Sequence, residues 1–156
     1  MDKQSLSLLQ AMPIFGGVEE SALELLLQYC PQVHVDTDCY FFKEGDSANS
    51  LFILKEGKVV VLKDERIKLQ YLSSGDCFGE MALIDLNPRS ASVLAVEDCV
   101  ALEISYQTLY ILYEQNLPQF TLIQMNLARE LSRRLRALDE RLSNLDKELL
   151  KLINVL

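Results

Sequence analysis

The stretch between Val33 and Ile104 constrains the fold of this chain more than any other feature. It consists of short runs rich in valine, isoleucine, tyrosine and phenylalanine, each ended by a turn signal. These signals are Gly45-Asp46, Glu56-Gly57, Lys63-Asp64-Glu65-Arg66 and Ser73-Ser74-Gly75-Asp76. Short strands separated by turns at regular intervals are typical of an antiparallel all-β unit.

Helical patterns flank this β-rich stretch on both sides. Before it, leucines recur at helical spacing, and the pattern is broken by Pro13 and Gly16-Gly17. This predicts two short helices with Phe15 at their junction. From Ser105 onward the pattern is helical again, with a break near Asn116-Leu117-Pro118. The predicted class is therefore α+β with a mainly β core.

The segment from Phe78 to Val93 reads F-G-E-M-A-L-I-D-L-N-P-R-S-A-S-V and predicts an anion site. If Met81 to Leu86 form a short helix, the N–H groups of its first turn are free and attract a phosphate. Gly79 permits close approach of a ligand to the backbone. Arg89 offers a planar, two-pronged donor for phosphate oxygens, and Glu80 is suited to accept from a neighbouring hydroxyl. Phosphate and hydroxyl together suggest a nucleotide.

This segment resembles the phosphate-binding cassette of the cyclic nucleotide-binding domain family, of the type found in bacterial catabolite activators and kinase regulatory subunits. The resemblance extends over nearly the whole chain. It also rests on Glu44-Gly45-Asp46, Leu51-Phe52-Ile53, Glu56-Gly57-Lys58-Val59 and Gly75-Asp76. It implies a β-roll of the jelly-roll type, interrupted by the cassette helix, and a cyclic nucleotide as ligand without a metal.

The resemblance also implies roles for individual residues. Glu80 is expected to hold the ribose 2′-hydroxyl, and Arg89 the cyclic phosphate. Backbone or hydroxyl contacts are expected from their neighbours Gly79, Met81, Ala82, Ser90 and Ala91. Val61 and Leu69 are candidates for lining the base pocket, and the alternative for each is packing in the core of the roll. The alternative is that Glu80 and Arg89 are surface charges, or a structural ion pair, on an ordinary loop.

The C-terminal segment carries leucines at alternating spacings of four and three, namely Leu131, Leu135, Leu138, Leu142, Leu145, Leu149, Leu152 and Leu156. Leucine at every core position over more than three heptads predicts a coiled coil and a homodimer. A parallel pairing would place Arg134 and Arg141 opposite Asp139 and Asp146 of the second copy. The alternatives are a higher oligomer and a single amphipathic helix lying on the β-roll.

We divide the chain into residues 1–118, with the N-terminal helices, the β-roll and a first C-terminal helix, and residues 119–156, a lid and dimerisation helix of the same domain. The resemblance places Arg134, Leu138 and Asp139 of this helix near the base. It predicts that the helix closes over bound nucleotide and signals by its movement. Cyclic AMP is the expected ligand, and cyclic GMP is the alternative.

Composition sets the outer limits. The chain has 156 residues, of which 49% are apolar and 24% charged, as expected for one globular domain. A formal net charge of −8 argues against non-specific attraction to nucleic acid. No run approaches the roughly 20 apolar residues that span a membrane. The N-terminus lacks the pattern of a signal peptide, so we expect a cytoplasmic protein.

Catalytic chemistry is not indicated. The chain has one histidine, His34, too few for the metal sites of jelly-roll enzymes, and no Ser-His-Asp or Cys-His arrangement is visible. The cysteines Cys30, Cys39, Cys77 and Cys99 form no C-x-x-C pair. Members of the family that bind DNA carry a helix-turn-helix after the long helix. This sequence stops at Leu156, so we expect no direct DNA binding and an effector that the sequence does not identify. The alternatives are a ligand-independent dimerisation module and the sensor half of a transcription regulator.

Overall fold

A computed structural model describes residues 3–85 and 87–155. Its strands are β1 (Gln32–Val35), β2 (Tyr40–Phe42), β3 (Ser50–Glu56), β4 (Lys58–Lys63), β5 (Ile67–Ser73), β6 (Cys77–Phe78), β7 (Ser92–Ala95) and β8 (Cys99–Ser105). Its α-helices are α1 (Lys3–Ala11), α2 (Glu20–Gln28), α3 (Tyr106–Gln115) and α4 (Leu117–Val155). Two 3-10 helices cover Pro13–Phe15 and Glu80–Leu83. The α+β class is confirmed.

The strands form two antiparallel sheets. The first has the order β1-β8-β3-β6 and the second the order β2-β7-β4-β5. In the second sheet Phe42 pairs with Val93, Val93 with Val61, and Val61 with Gln70, so one row of residues crosses all four strands. The row follows from antiparallel pairing, in which opposed residues lie on the same face of the sheet.

Strand β3 separates two hydrophobic cores because it is buried on both faces. Phe52 and Leu54 face the second sheet and pack with Val59, Phe78 and other residues between the sheets. The rings of Phe52 and Phe78 stack with their centroids 5.6 Å apart. Alternate residues of the same strand point the opposite way, as the two-residue period of a strand requires.

The second core lies between β3 and the helices. Leu51 and Ile53 of β3 pack there with Leu23 of α2 and Leu127 of α4. Phe15 is buried in the same core, in the 3-10 helix between α1 and α2, as predicted. The β-roll is thereby closed on one side by the N-terminal helices and the first half of α4.

The long helix α4 begins at Leu117, directly after the break predicted near Asn116. Pro118 lies in the first turn of α4, where its missing N–H group costs no intrahelical hydrogen bond. The side-chain amide of Asn126 is buried and its Nδ2 donates to the carbonyls of Ile14 at 3.3 Å and Gly16 at 2.9 Å. These bonds hold α4 against the N-terminal helices. The predicted division after residue 118 falls in the first turn of α4 and stays a prediction.

The second half of α4 extends away from the body of the protein. The last buried residue of α4 is Glu130, and every described residue from Leu135 to Val155 is exposed. None of the described helices combines the length and the apolar character needed to cross a membrane. The half-exposed leucines of this segment do not lie on the β-roll, contrary to the alternative of a helix lying flat on it.

We predict a difference between two glycine-to-alanine substitutions in turns. Gly57 and Gly45 both have positive φ, +94° and +87°, so alanine strains either turn by roughly 1–2 kcal/mol. At Gly57 the new Cβ would also lie 2.5 Å from the carbonyl oxygen of Asp98, whereas at Gly45 it meets nothing within 4 Å. Gly57→Ala should therefore lower the free energy of unfolding by about 1–3 kcal/mol more than Gly45→Ala, measured by urea denaturation. Equal losses would mean that the close contact at Gly57 is without consequence.

Candidate functional site

A cavity of about 350 Å³ opens between the second sheet, the cassette segment and α4. It brings together most of the residues predicted for the site, namely Val61, Gly79, Glu80, Met81, Ala82, Arg89, Ser90, Ala91 and Arg134. These residues come from β4, the cassette and α4, so elements more than 70 positions apart in sequence meet here. Its size is in the range of small-molecule sites in proteins.

The cassette helix differs from the prediction. Met81 to Leu86 were expected to form a helix, but the structure has a 3-10 helix over Glu80–Leu83, and Leu86 lies outside the described residues. The N–H group of Ala82 already donates to the carbonyl of Gly79 at 3.2 Å. A single 3-10 turn contributes little macrodipole, so attraction of an anion depends mainly on Arg89.

The Arg89 side chain is buried against an aromatic ring. Its Cζ atom lies 3.9 Å from the ring centroid of Phe42, and its Nη1 donates to the carbonyl of Gly79 at 3.2 Å. Within residues 3–85 and 87–155, its buried Nε finds no hydrogen-bond acceptor. Burial lowers the pKa of this guanidinium, although the carboxylates of Glu103, Asp46 and Glu80 oppose that shift. A buried cation with an unsatisfied donor is unfavourable, and Arg89 also lines the cavity, where an anion would compensate its charge.

Gly79 has a second role beside the one predicted. Its φ of +77° lies in the left-handed region, which glycine adopts without steric cost. A Cβ at this position would lie 2.6 Å from Nη1 of Arg89 and 3.3 Å from the carbonyl oxygen of Ser50. The glycine therefore makes room for the arginine side chain.

Glu80 is also buried, and its partner comes from the long helix. Oε1 of Glu80 accepts from Nη1 of Arg134, while Nε of Arg134 donates to Oε1 of Glu130 at 3.0 Å. Burial alone would lower the pKa of Arg134, but the neighbouring Glu80, Cys77 and Glu130 outweigh it and raise the pKa. The alternative of surface charges is thus wrong, and Glu80 forms its ion pair with Arg134 rather than with Arg89.

Three residues predicted for the site lie outside the cavity. Leu69 is 49% exposed and does not line it, and the adjacent Gln70 does. Leu138 and Asp139 are exposed on the part of α4 beyond the β-roll. The prediction that Leu69 lines the base pocket is therefore wrong, as is the alternative that it packs in the core of the roll. Alternation from the buried Leu72 would have indicated Gln70, since residues two apart share a face of a strand.

The sequence-based reading also missed Phe42 and Cys77 as lining residues. Phe42 is distant in sequence from Arg89, and nothing local to either residue indicates their contact. Cys77 is buried, and burial raises the pKa of its thiol to about 11, which disfavours the reactive thiolate. Within the part of the chain that the structure describes, no three histidine, cysteine, aspartate or glutamate side chains gather as a metal site would require.

The chain belongs to the cyclic nucleotide-binding domain family. The sequence model of that family, described as the cyclic nucleotide-binding domain, matches residues 32–116, which is more than half of the chain. Members of this family are regulatory binding domains. The predicted family and the predicted fold are thereby confirmed.

Three known proteins illustrate what this chain is similar to in sequence and in structure. The cyclic AMP receptor protein of Thermus thermophilus is 33% identical over 144 residues, which is 90% of this chain and 65% of that protein. A cyclic nucleotide-binding domain from Methylobacillus flagellatus superposes with a TM-score of 0.78 at 26% identity, covering 89% of this chain and 80% of the other. The regulatory domain of Toxoplasma gondii PKA, solved with cAMP, gives a TM-score of 0.65 at 25% identity, covering 70% and 43%. The chain thus spans less than two thirds of the Thermus protein.

Proposed function

We propose that this chain is a regulatory module that binds a cyclic nucleotide, cyclic AMP in preference to cyclic GMP, in the cavity at the cassette. One observation carries the proposal: the guanidinium of Arg89, which is buried and incompletely compensated by the protein, lines the cavity beside the buried carboxylate of Glu80. A cyclic phosphate supplies acceptors for the guanidinium and a compensating negative charge. The similarity of this chain to the cyclic AMP receptor protein of Thermus thermophilus, and to a PKA regulatory domain solved with cAMP, supports this choice of ligand.

Glu80 is the proposed acceptor for the ribose of the ligand. Its Oε1 is bonded to Arg134, and no hydrogen bond from the described residues reaches its Oε2. A carboxylate accepts several hydrogen bonds, so the ribose 2′-hydroxyl can donate to the second oxygen while the ion pair persists. The buried carboxylate then lies between the ligand and α4.

We predict that Arg89→Ala weakens binding of cyclic AMP by about ten- to a hundredfold. The reason is the loss of a charge-assisted hydrogen bond worth roughly 1.5–3 kcal/mol. Isothermal titration calorimetry with cyclic AMP and cyclic GMP would measure the loss. Arg136→Ala is the matched control, because Arg136 is exposed on α4 and does not line the cavity. The absence of binding to the unsubstituted protein by either nucleotide would contradict the proposal.

Signalling by the long helix is the second part of the proposal. Arg134 joins α4 to Glu80, and Glu130 holds the arginine in place from one turn before it in the same helix. A ligand that bonds to Glu80 changes the strength of its ion pair with Arg134 and so biases the position of α4. The bias is limited to the difference in affinity of the ligand for the two positions of the helix.

We predict that Arg134→Met uncouples α4 from the ligand. In the unsubstituted protein, cyclic AMP should change hydrogen exchange of amides in residues 128–145. In Arg134→Met that change should disappear, although binding persists through Arg89. Arg133→Met is the control, because Arg133 is exposed and bonds only Glu130 among the described residues. A ligand-induced change of full size in Arg134→Met would contradict this mechanism.

We also propose a parallel homodimer through the leucine face of α4. The six leucines Leu135, Leu138, Leu142, Leu145, Leu149 and Leu152 are each more than half exposed, and they lie on one face of the helix. Such a contiguous apolar face on an exposed helix needs a cover. Leu156, the last leucine predicted for this face, lies outside the described residues. The interhelical pair of Arg134 with Asp139 is not supported, because Arg134 bonds Glu80 and Glu130 of its own chain. The other predicted interhelical ion pair, between Arg141 and Asp146 of the second copy, stays part of the proposal.

We predict that Leu142→Asp converts the dimer to a monomer, because a carboxylate at a core position of the helix pair would be buried without a partner. Sedimentation velocity at several protein concentrations measures the change. Ser143→Asp adds the same charge one residue further along α4, outside the leucine face, and should leave the dimer intact. A monomer in the unsubstituted protein would contradict the proposed dimer.

Further parts of the proposal concern context. The four cysteines are unpaired in the structure, which fits the reducing cytoplasm expected for this protein. The module acts through a partner that reads the position of α4, and we propose that it performs no catalysis and makes no direct contact with DNA. A dimerisation module that ignores ligand would leave the buried charge of Arg89 in the cavity wall without a compensating anion.

A further inference from the structure

The cavity has a polar end that no part of the cassette supplies. Gln70 lies on β5, the edge strand of the second sheet, and its side chain lines the cavity. No hydrogen bond joins its carboxamide to any residue within 3–85 or 87–155, and the residue is exposed at the mouth of the cavity. It therefore carries a free donor and a free acceptor toward whatever occupies the space.

The register of the sheet places Gln70 at the far end from the arginine. Phe42, which lies under the guanidinium of Arg89, pairs with Val93, Val93 pairs with Val61, and Val61 pairs with Gln70. All four members of this row line the cavity. Three strand spacings separate its ends by roughly 14 Å between Cα atoms.

The chemistry along this row has a direction. A cation lies at one end, two valines form the middle, and a carboxamide lies at the other end. An elongated ligand with an anionic end, an apolar flat face and a hydrogen-bonding edge matches this order. With the phosphate at Arg89 and the ribose at Glu80, the base lies over Val61 with its edge toward Gln70.

We propose that Gln70 reads the base of the bound nucleotide and favours adenine. This inference rests on the proposed function of the same cavity. A carboxamide can donate to a ring nitrogen of adenine and accept from its 6-amino group at the same time. The corresponding edge of guanine presents two acceptors, N7 and O6, and leaves the carbonyl of the carboxamide without a donor. The selectivity thus comes from β5 and not from Leu138 or Asp139 on α4.

The position of Leu69 explains why only one residue of this strand can act so. The pairing of β4 with β5 shifts between Val61 and Leu62, so Val61 pairs with Gln70 and Leu62 with Lys68. Leu69 is left without an opposed residue and is half exposed. A side chain at position 69 therefore does not reach the ligand, which makes it a matched control on the same strand.

The test compares the unsubstituted protein with Gln70→Leu, Gln70→Glu and Leu69→Ala, titrated calorimetrically with cyclic AMP and cyclic GMP. We expect Gln70→Leu to weaken cyclic AMP about tenfold and to leave cyclic GMP within about twofold, since one bidentate contact is lost. Gln70→Glu, which offers only acceptors, should lower the ratio of cyclic AMP to cyclic GMP affinity. Leu69→Ala should change neither affinity.

The outcomes separate this inference from the proposed function. Only the role of Gln70 is overturned if the unsubstituted protein binds cyclic AMP, Arg89→Ala weakens that binding, and Gln70→Leu changes the affinities for both nucleotides equally or not at all. If neither nucleotide binds the unsubstituted protein, the proposed function fails and this inference fails with it. Thermal unfolding of Gln70→Leu should match that of Leu69→Ala, which shows that the comparison reports on binding and not on folding.

Discussion

A guanidinium buried inside a β-roll sets the terms for everything around it. Arg89 is held by the face of Phe42, by the carbonyl of Gly79 and by backbone bonds of its own peptide group to Gly45 and Asp46. A charge so placed loses hydration, and the protein offers it incomplete compensation. Glycine at 79, an aromatic residue at 42 and an open cavity are all consequences of keeping this side chain inside. The site is therefore organised around a buried cation whose charge the protein compensates only in part.

The parts of the structure that follow from local patterns were predictable. Turn signals between short apolar runs predicted the antiparallel β-rich core, and Pro13 with Gly16-Gly17 predicted the interruption between α1 and α2. The break before Pro118 placed the start of α4 within two residues. In each case a few adjacent residues determine the backbone conformation, so distant parts of the chain are not needed to infer it.

The resemblance to a known family predicted that Val61, Glu80, Arg89 and Arg134 share one site, but individual contacts between distant residues were not predictable. The ion pair of Glu80 with Arg134 joins residues 54 positions apart, and neither residue has a local feature that identifies the other. Gln70 lines the cavity in place of the predicted Leu69. The reason is a shift in the pairing of β5 with β4, which the sequence of β5 alone does not indicate. The predicted helix in the cassette differs from the observed one because an apolar run resembles an α-helix even where the backbone bonds run from residue i to residue i+3. Apolar character alone is a poor guide to which residues face a cavity.

The unbroken course of α4 has a mechanical consequence. From Arg134 to Val155 the helix rises by about 1.5 Å per residue, or roughly 30 Å in all, without a proline or glycine to bend it. A rotation of about 10° at the point where Arg134 meets Glu80 would carry the far end sideways by about 5 Å, by the geometry of a rigid rod of that length. The helix would thus act as a rigid lever that pivots where Arg134 meets Glu80. A displacement too small to disturb the β-roll would be amplified at its tip to the width of a side chain.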